Sequence, residues 1–347
     1  MIHNFSIYRH RIRYASDFET KYDISASETI LFVGILLMKQ SAWIQKNEIF
    51  AIYFGMRILD LLKVSRPGLW LVFVWLYLWP TGGNIHMIDT GVFWLGLVYC
   101  TFPLNLLVYG MNDIVDEDVD AKNPRKGNFV YGANFPRQQL RQLPGWIALV
   151  NVVYLGSIAY LNPQLSFFLV KWIACAVAVN YAYNNEPFRL SRKCPCEVPV
   201  MIVGHFLIPW LSCQINSSPL PSSASWLFHA LLLSRSHIWL EYEDISVDKL
   251  KGKNTIAVVV GERSTLTLII TLTAIEAAVG YYLLHSTVLA IFSLFGIVVF
   301  FVASSRKSSS NRPGTKPQSD SLPFVSISQS LVGVVLMIYL WRNRVFV

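Results

Sequence analysis

The sequence predicts an all-α integral membrane protein, a bundle of nine transmembrane helices with a candidate active site at its cytosol-like face. Hydrophobic residues make up 54% of the 347 residues and charged residues only 14%, against roughly 25% charged in an average soluble domain. Apolar runs long enough to cross a bilayer recur along the chain. Because these runs are continuous rather than alternating, they favour helices over the strands of a membrane barrel.

Nine apolar runs are the predicted spans. They are expected at residues 68–83, 92–111, 144–160, 164–182, 198–213, 223–240, 265–283, 286–302 and 323–341. The first and the fifth are short, so they require tilt or polar flanking residues to match the bilayer.

Basic residues alternate strictly between the two ends of the predicted bundle. The loops after spans 2, 4, 6 and 8 contain five, three, four and four Lys and Arg, whereas the loops after spans 1, 3, 5 and 7 contain none. By the positive-inside rule, this alternation predicts a multi-pass protein with its N-terminus on the cytosol-like side. The net charge of +8 is therefore a topology signal and does not indicate a nucleic-acid partner.

Two further divisions of the chain follow from composition. Residues 1–57 form a polar and basic extension, for which a targeting segment and an interfacial helix both stay open. Residues 58–347 form the membrane domain. Within that domain the Ser- and Pro-rich stretch at 303–322 is expected to be a flexible loop.

Two acidic clusters, NDIVDEDVD at 112–120 and EYEDISVD at 241–248, each follow an apolar run and hold nine of the 21 acidic residues. Both lie on the basic side of the predicted topology. Densely packed carboxylates repel one another unless cations neutralise them, so the clusters suggest divalent metal ions holding a polyphosphate. Charged helix ends that are merely solvated are the alternative, which the repetition of the pattern disfavours.

The spacing of the acidic residues is the same in both clusters. Asp113, Asp116 and Asp120 are spaced i, i+3, i+7, and Glu241, Asp244 and Asp248 repeat that spacing. On a helix each set forms one stripe, and Asn112 borders the first stripe. These six carboxylates are the predicted ligands of Mg²⁺, with Mn²⁺ as a second candidate. Mg²⁺ favours a few carboxylates together with waters and phosphates.

The motifs resemble those of the UbiA superfamily of intramembrane prenyltransferases. The family's N-D-x-x-D-x-x-x-D pattern is matched at residues 112–120, and its D-x-x-x-D pattern with a following Gly and Thr is matched by Asp244, Asp248, Gly252 and Thr255. A Tyr, Pro and basic residue after span 4 correspond to Tyr183, Pro187 and Arg189. The stretch FPLNLLVYGMNDIVDEDVDAKNPRKG looks most like the lycopene elongase type, although Asn184, Asn185 and Glu186 depart from the family's usual small residues and second Pro.

The resemblance implies a Mg²⁺-dependent prenyltransferase. It would transfer an isoprenyl group from a prenyl diphosphate to a lipophilic acceptor, such as a carotenoid, an aromatic or quinone precursor or another membrane lipid. The implied catalytic residues are Asn112, Asp113, Asp116, Asp120, Asp244 and Asp248. Candidates for binding the diphosphate are Arg66, Lys122, Arg125, Lys126, Tyr183 and Arg189. A terpene cyclase on the same scaffold and a non-catalytic membrane protein with a vestigial metal site are the alternatives.

A few ionisable residues fall inside predicted spans, where such groups are functional candidates by default. Arg235 could reach the acidic site or pair with Glu276. Lys171 and Glu276 could instead form a structural pair. His205 and His237 are expected to serve packing or hydrogen bonding rather than base catalysis.

Overall fold

The structure is a computed structural model that describes residues 56–117, 126–135, 137–250, 252–310 and 333–347. Across these residues the chain is helical, and β-type pairing is limited to the isolated bridges Asn128–Gly132 and Lys193–Asn254. The predicted all-α class is therefore confirmed for the described part. Almost all of the predicted extension at 1–57 lies outside it, and the domain boundary stays a prediction. The site lies within one compact unit, Leu61–Val347.

The first half of the bundle presents the end of one long helix, α3, at the site. Its helices are α1 (Ile58–Val64), α2 (Trp70–Leu78), α3 (Gly91–Val115), α4 (Arg137–Leu140), α5 (Leu143–Leu161), α6 (Ser166–Asn184) and α7 (Glu197–Ile215). Short 3₁₀ turns at Pro67–Leu69 and Trp79–Thr81 flank α2, and others precede α3, α6 and α7. Helix α3 packs against α2, α5 and α6, and α7 packs against α2 and α6.

The second half presents the end of a second long helix, α8. Its helices are α8 (Ser223–Leu250), α9 (Ile256–Val260), α10 (Glu262–Ala278), α11 (Thr287–Ser310) and α12 (Gly333–Arg342). A π-helical turn, Val279–Leu283, continues α10. Helix α10 packs against α8 and α11, and α8 also contacts α7. Helix α8 therefore packs against helices of both halves.

The described residues contain five helices long and apolar enough to cross a membrane, or six if α1 and the 67–81 segment, bent by 40° at their junction, count as one span. The predicted spans at 223–240, 286–302 and 323–341 fall on α8, α11 and α12. Serines, histidines and Arg235 interrupt the apolar part of α8, while α11 and α12 offer only the shorter apolar stretches Thr287–Val302 and Gly333–Arg342. The number nine therefore stays a prediction, whereas the multi-pass membrane character is clear.

A proline in the middle of α3 is accommodated by buried asparagines. Pro103 lacks the amide hydrogen that a helix interior uses. The Asn105 side-chain amide donates to the carbonyls of Cys100 and Thr101, and Asn151 of α5 donates to the carbonyl of Pro103 at 3.2 Å. Neighbouring side chains thus satisfy backbone groups that lipid cannot, and α3 continues to the first acidic cluster.

An ion pair in the second half joins α8 to α10. Arg235 and Glu276 are both fully buried and hydrogen-bonded to each other, and Ser293 of α11 donates to Glu276 Oε1 at 2.8 Å. Of the two predicted roles for Arg235, pairing with Glu276 is the observed one. The alternative pair of Lys171 with Glu276 is wrong, because the Lys171 ammonium lies 4.3 Å from the Phe167 ring centroid on its own helix.

Candidate active site

The first acidic cluster begins in the last turn of α3, where Asp113 is buried among cations. Its Oδ1 atom accepts hydrogen bonds from Arg66 Nη2 at 2.9 Å and from Lys126 Nζ at 2.6 Å. Asp113 is only 3% exposed, and Arg66 also stacks over the Tyr109 ring at 4.3 Å. Two of the predicted diphosphate-binding residues therefore meet at one predicted metal-binding carboxylate.

Asp116 follows the end of α3 and is held by a second pair of cations. Its Oδ1 atom accepts from Arg189 Nη2 at 2.9 Å and from Arg192 Nη2 at 3.1 Å. Asn112, the neighbouring motif residue, donates to Asn184 Oδ1 at 3.0 Å. Asn184, a departure from the resembled pattern, thus contacts the motif directly. Helix α3 ends at Val115, so Asp116 lies one residue past its end.

Two of these arginines lie at sharp turns of the backbone. Arg66 has φ +50° before the Pro67–Leu69 turn, and Arg189 has φ +41° before the Leu190–Arg192 turn. Left-handed conformations are uncommon for residues other than glycine, asparagine and aspartate, and such strain recurs at functional sites. Both turns direct their guanidinium groups to carboxylates of the first motif.

A small hairpin places Lys126 beside Asp113. Gly127 N donates to Gly132 O, and Gly132 N donates to Asn128 O. Gly132 has φ +92°, and a Cβ atom built there would lie 3.3 Å from Arg66 Nε and 3.4 Å from both Asp113 Oδ2 and Lys126 Nζ. The backbone conformation at this position favours glycine, while a Cβ atom would fit if these side-chain ends shifted slightly.

The second acidic cluster lies in the last turns of α8. Glu241 and Asp248 are buried and Asp244 is half-buried. Asp248 pairs with Lys253 Nζ at 3.1 Å, and Glu241 Oε2 accepts from the Ala257 amide at 3.4 Å. His237, one turn earlier, places Nε2 3.3 Å from Glu241 Oε1. The predicted stripe of Glu241, Asp244 and Asp248 does fall on one helix.

The segment after α6 contacts the first cluster and the backbone that follows the second, and it contains two residues that the sequence analysis did not single out. Arg192 is one, through its bond to Asp116. Glu197, at the start of α7, is the other: it is fully buried and its Oε1 atom accepts from the Ile256 amide at 2.8 Å. Burial, together with the Glu197 and Glu241 carboxylates, raises the pKa of the Cys194 thiol. Tyr183, a predicted diphosphate-binding residue, is half-buried near the end of α6.

A signal for each missed residue was present in the sequence. Arg192 lies three residues after Arg189, a spacing that lets two basic side chains share one target. Glu197 is a carboxylate at the first position of an apolar span, and intramembrane ionisable residues are functional candidates by default.

Three predicted site residues, Asp120, Lys122 and Arg125, lie outside the described residues. Among the residues that are described, no group of three or more His, Cys, Asp or Glu side chains converges on one point. Mg²⁺ commonly takes only one or two carboxylates and completes its shell with water and phosphate oxygens. The buried Asp113 Oδ2 atom has no hydrogen-bond partner among the described residues, so a carboxylate oxygen at this site fits a hard divalent cation.

Two acidic motifs lie at helix ends of a multi-pass membrane protein, and arginine and lysine side chains hold the first of them. The profile of the UbiA prenyltransferase family matches residues 67–324. The chain belongs to this family and is a prenyltransferase.

Curated relatives agree with the motif-level resemblance to the lycopene elongase type. A lycopene elongase/hydratase of Corynebacterium glutamicum is 26% identical over 224 residues, which cover 62% of this chain and 75% of that protein. A lycopene elongase/hydratase of Haloferax volcanii is 24% identical over 220 residues, covering 61% of this chain and 68% of that protein.

A solved structure shares the fold. The UbiA homologue of Archaeoglobus fulgidus bound to GPP and Mg²⁺ superposes with a TM-score of 0.57 at 18% identity. The superposition covers 82% of this chain and 99% of the other.

Proposed function

We propose that this prenyltransferase uses a divalent metal ion, Mg²⁺ in the first instance, to transfer an isoprenyl group from a prenyl diphosphate to a lipophilic acceptor inside the membrane. The observation that carries the proposal is the meeting of four cationic side chains at the first acidic motif. They are Arg66, Lys126, Arg189 and Arg192. Relatives named lycopene elongase/hydratase and a relative bound to GPP and Mg²⁺ support the same reaction.

The four cations fit the donor's diphosphate. Guanidinium groups donate to phosphate oxygens in pairs, and an ammonium adds a compact point charge. Because these side chains are already ordered on Asp113 and Asp116, they require little reorganisation when charge develops on the leaving group. Their charge therefore favours breaking the bond between the donor's first carbon and the diphosphate oxygen, with the electron pair leaving on the diphosphate.

The acidic residues fit the metal. Asp113, Asp116, Asp244 and Asp248 would hold it, with Asp120 and Glu241 as further candidates. When bound, Mg²⁺ supplies charge neutralisation of the diphosphate as it leaves.

The acceptor completes the reaction. The allylic cation is attacked by the π electrons of an acceptor double bond, and the resulting cation loses a proton or gains water. The apolar surroundings of the helix bundle keep bulk water away from the first cation. A polyene hydrocarbon of the carotenoid type is the first acceptor to test, followed by aromatic or quinone precursors.

A direct assay tests the reaction. Purified protein in detergent, given labelled C10 to C20 prenyl diphosphates and a polyene acceptor, should release pyrophosphate with Mg²⁺ and not with EDTA. Asp89→Asn is a matched control, since Asp89 is an exposed carboxylate at the opposite end of α3 from Asp116. No metal-dependent turnover with any donor would contradict the proposal. A cyclic product formed without acceptor would identify a terpene cyclase instead.

The orientation is a separate proposal. We propose that both acidic clusters face the cytosol-like side, on the grounds of the alternating basic loops. Cys196, exposed in the loop after α6, should react with a membrane-impermeant maleimide in inside-out vesicles and stay unmodified in sealed right-side-out vesicles. Cys196→Ser is the control for labelling elsewhere. The reverse pattern would overturn the orientation.

A further inference from the structure

We infer that the segment from Arg192 to Glu197 is a brace that fixes the second acidic cluster relative to the first, with Glu197 as its buried positioning residue. The inference rests on the proposed function, because a brace matters only if both clusters hold one metal–diphosphate complex.

One end of the brace is attached to the first cluster. Arg192 reaches Asp116 with its side chain, over a separation of 76 residues. Arg189 bonds the same oxygen, Asp116 Oδ1, at 2.9 Å. The segment's first residues are therefore held against the end of α3.

The middle of the brace pairs with the backbone that follows the second cluster. Asn254 N donates to Arg192 O at 3.2 Å, and Cys194 N donates to Asn254 O at 2.7 Å. These two bonds form the isolated parallel bridge between Lys193 and Asn254. Arg192 thus contacts the first cluster with its side chain. Its carbonyl accepts from the Asn254 amide, in the backbone that follows the second cluster.

The other end is secured by Glu197. Its Oε1 atom accepts from Ile256 N at 2.8 Å, and the next amide, Ala257 N, donates to Glu241 of the second cluster. Glu197 has no exposed surface. A buried carboxylate of α7 and a carboxylate of α8 therefore hold two successive amides of one turn.

The braced backbone leads directly back to the second motif. Lys253 N donates to Asp248 O at 3.0 Å, and Lys253 Nζ pairs with Asp248 Oδ1 at 3.1 Å. A path of contacts therefore joins Asp116 to Asp248. It runs from Asp116 to the Arg192 side chain, from the Arg192 carbonyl to Asn254, along the chain to Lys253, and from Lys253 to Asp248. Loss of the Glu197 contact should loosen the second cluster without touching the first.

Two substitutions separate the hydrogen bond of Glu197 from its charge. Glu197→Gln keeps an oxygen acceptor for Ile256 N and removes the charge. Glu197→Asp keeps the charge and withdraws the carboxylate by roughly 1.5 Å, one C–C bond, which lengthens the contact beyond hydrogen-bond range. Ser212→Ala is the matched control, because Ser212 lies at the far end of α7 and makes a buried bond to Tyr77 O at 2.6 Å.

Two measurements on the full chain test whether Glu197 holds the second cluster in position. Hydrogen exchange of a peptide covering residues 252–258 should be faster by about tenfold in Glu197→Asp and unchanged in Glu197→Gln and Ser212→Ala. Mg²⁺-dependent binding of inorganic pyrophosphate, measured by calorimetry, should weaken by about tenfold in Glu197→Asp and by less than about threefold in the other two.

Several results would overturn the brace. Equal impairment of Glu197→Gln and Glu197→Asp would make the charge the essential property, and wild-type behaviour of both would show that the contact does not position the site. Faster exchange with unaltered pyrophosphate binding would show that the segment is not coupled to the clusters. If the wild-type chain binds no pyrophosphate with Mg²⁺, the proposed function fails, while the exchange experiment still reports whether Glu197 secures the turn.

Discussion

The two acidic clusters carry carboxylates at the same spacing, but their side chains are held in different ways. Asp113 and Asp116 of the first cluster bind cations 47, 13, 73 and 76 residues away in the chain. Asp248 and Glu241 of the second cluster contact groups 5, 16 and 4 residues away: Lys253, the Ala257 amide and His237. Among the described contacts, those of the first cluster reach up to 76 residues along the chain, whereas those of the second stay within 16.

We therefore expect the two clusters to bind different parts of the substrate complex. Four cationic groups surround two carboxylates in the described part of the first cluster, which favours the anionic diphosphate. The second cluster places three carboxylates on α8, which favours the metal ion. We therefore expect the diphosphate to lie nearer the first cluster and the metal charge nearer the second.

The largest expected effect tests whether the two clusters act together on one metal–diphosphate complex. Asp116→Ala and Asp244→Ala should each lower kcat by about 10³-fold or more, because each removes part of the electrostatic stabilisation of the leaving group. The double variant should be little worse than either single variant, since residues that act as a unit are strongly non-additive. Single-turnover kinetics with a labelled donor measures this. Full activity of Asp244→Ala would remove the second cluster from the site.

The next effect tests the cationic character of the first cluster. Arg66→Met should raise the KM for prenyl diphosphate by about tenfold to a hundredfold, the range expected for one charge-assisted hydrogen bond. Arg57→Met is the control, because Arg57 pairs with Asp60 through a largely exposed side chain. Steady-state kinetics at saturating acceptor provides the measurement. An unchanged KM would mean that Arg66 serves only to order Asp113.

A smaller effect tests how closely the hairpin packs on Asp113. Gly132→Ala should reduce activity by about tenfold and the free energy of unfolding by about 1–3 kcal/mol, because alanine is strained at φ +92°. Gly145→Ala, in α5, meets no atom within 4 Å and should be neutral or stabilising by up to about 1 kcal/mol. Thermal unfolding and turnover would be compared for the two variants. Equal behaviour would show that the hairpin is dispensable.

The smallest effect concerns an acidic residue off the predicted stripe. Asp118→Asn should keep activity within about threefold of wild type, because the i, i+3, i+7 spacing leaves Asp118 off the predicted stripe. The position lies outside the described residues, so the expectation comes from the i, i+3, i+7 spacing alone. Turnover equal to that of Asp116→Ala would show that the spacing argument selects the wrong carboxylates.

Much of the architecture was predictable because lipid imposes a simple rule on sequence. The runs predicted at 92–111 and 144–160 correspond to α3 (Gly91–Val115) and α5 (Leu143–Leu161) within a few residues. The π-helical turn at Val279–Leu283 and the bend before α2 were not predictable, because apolar composition does not encode the geometry of a helix break. The span count depends on α8, where polar residues weaken the signal, and on α11 and α12, between which residues 311–332 lie outside the described part.

The candidate site likewise has features that the sequence predicts and contacts that it does not. Carboxylates at a repeated spacing are visible in the sequence, and so are the family motifs. The contacts of Arg192 with Asp116 and of Glu197 with Ile256 span 76 and 59 residues. Such contacts depend on how α3, α7 and α8 pack, which local sequence patterns do not specify. Asn184 shows the same limit, since a departure from the family pattern proved to be a partner of Asn112.

The buried pair of Arg235 and Glu276 has a consequence for biogenesis. An ionised side chain at the centre of a bilayer costs roughly 2.5–3.5 kcal/mol on insertion scales, so neither α8 nor α10 is well suited to enter lipid alone. Together they neutralise each other, with Ser293 of α11 completing the bonds of Glu276. We expect the translocation machinery to retain α8 until α10 has been synthesised and to release the two helices into the membrane as a pair.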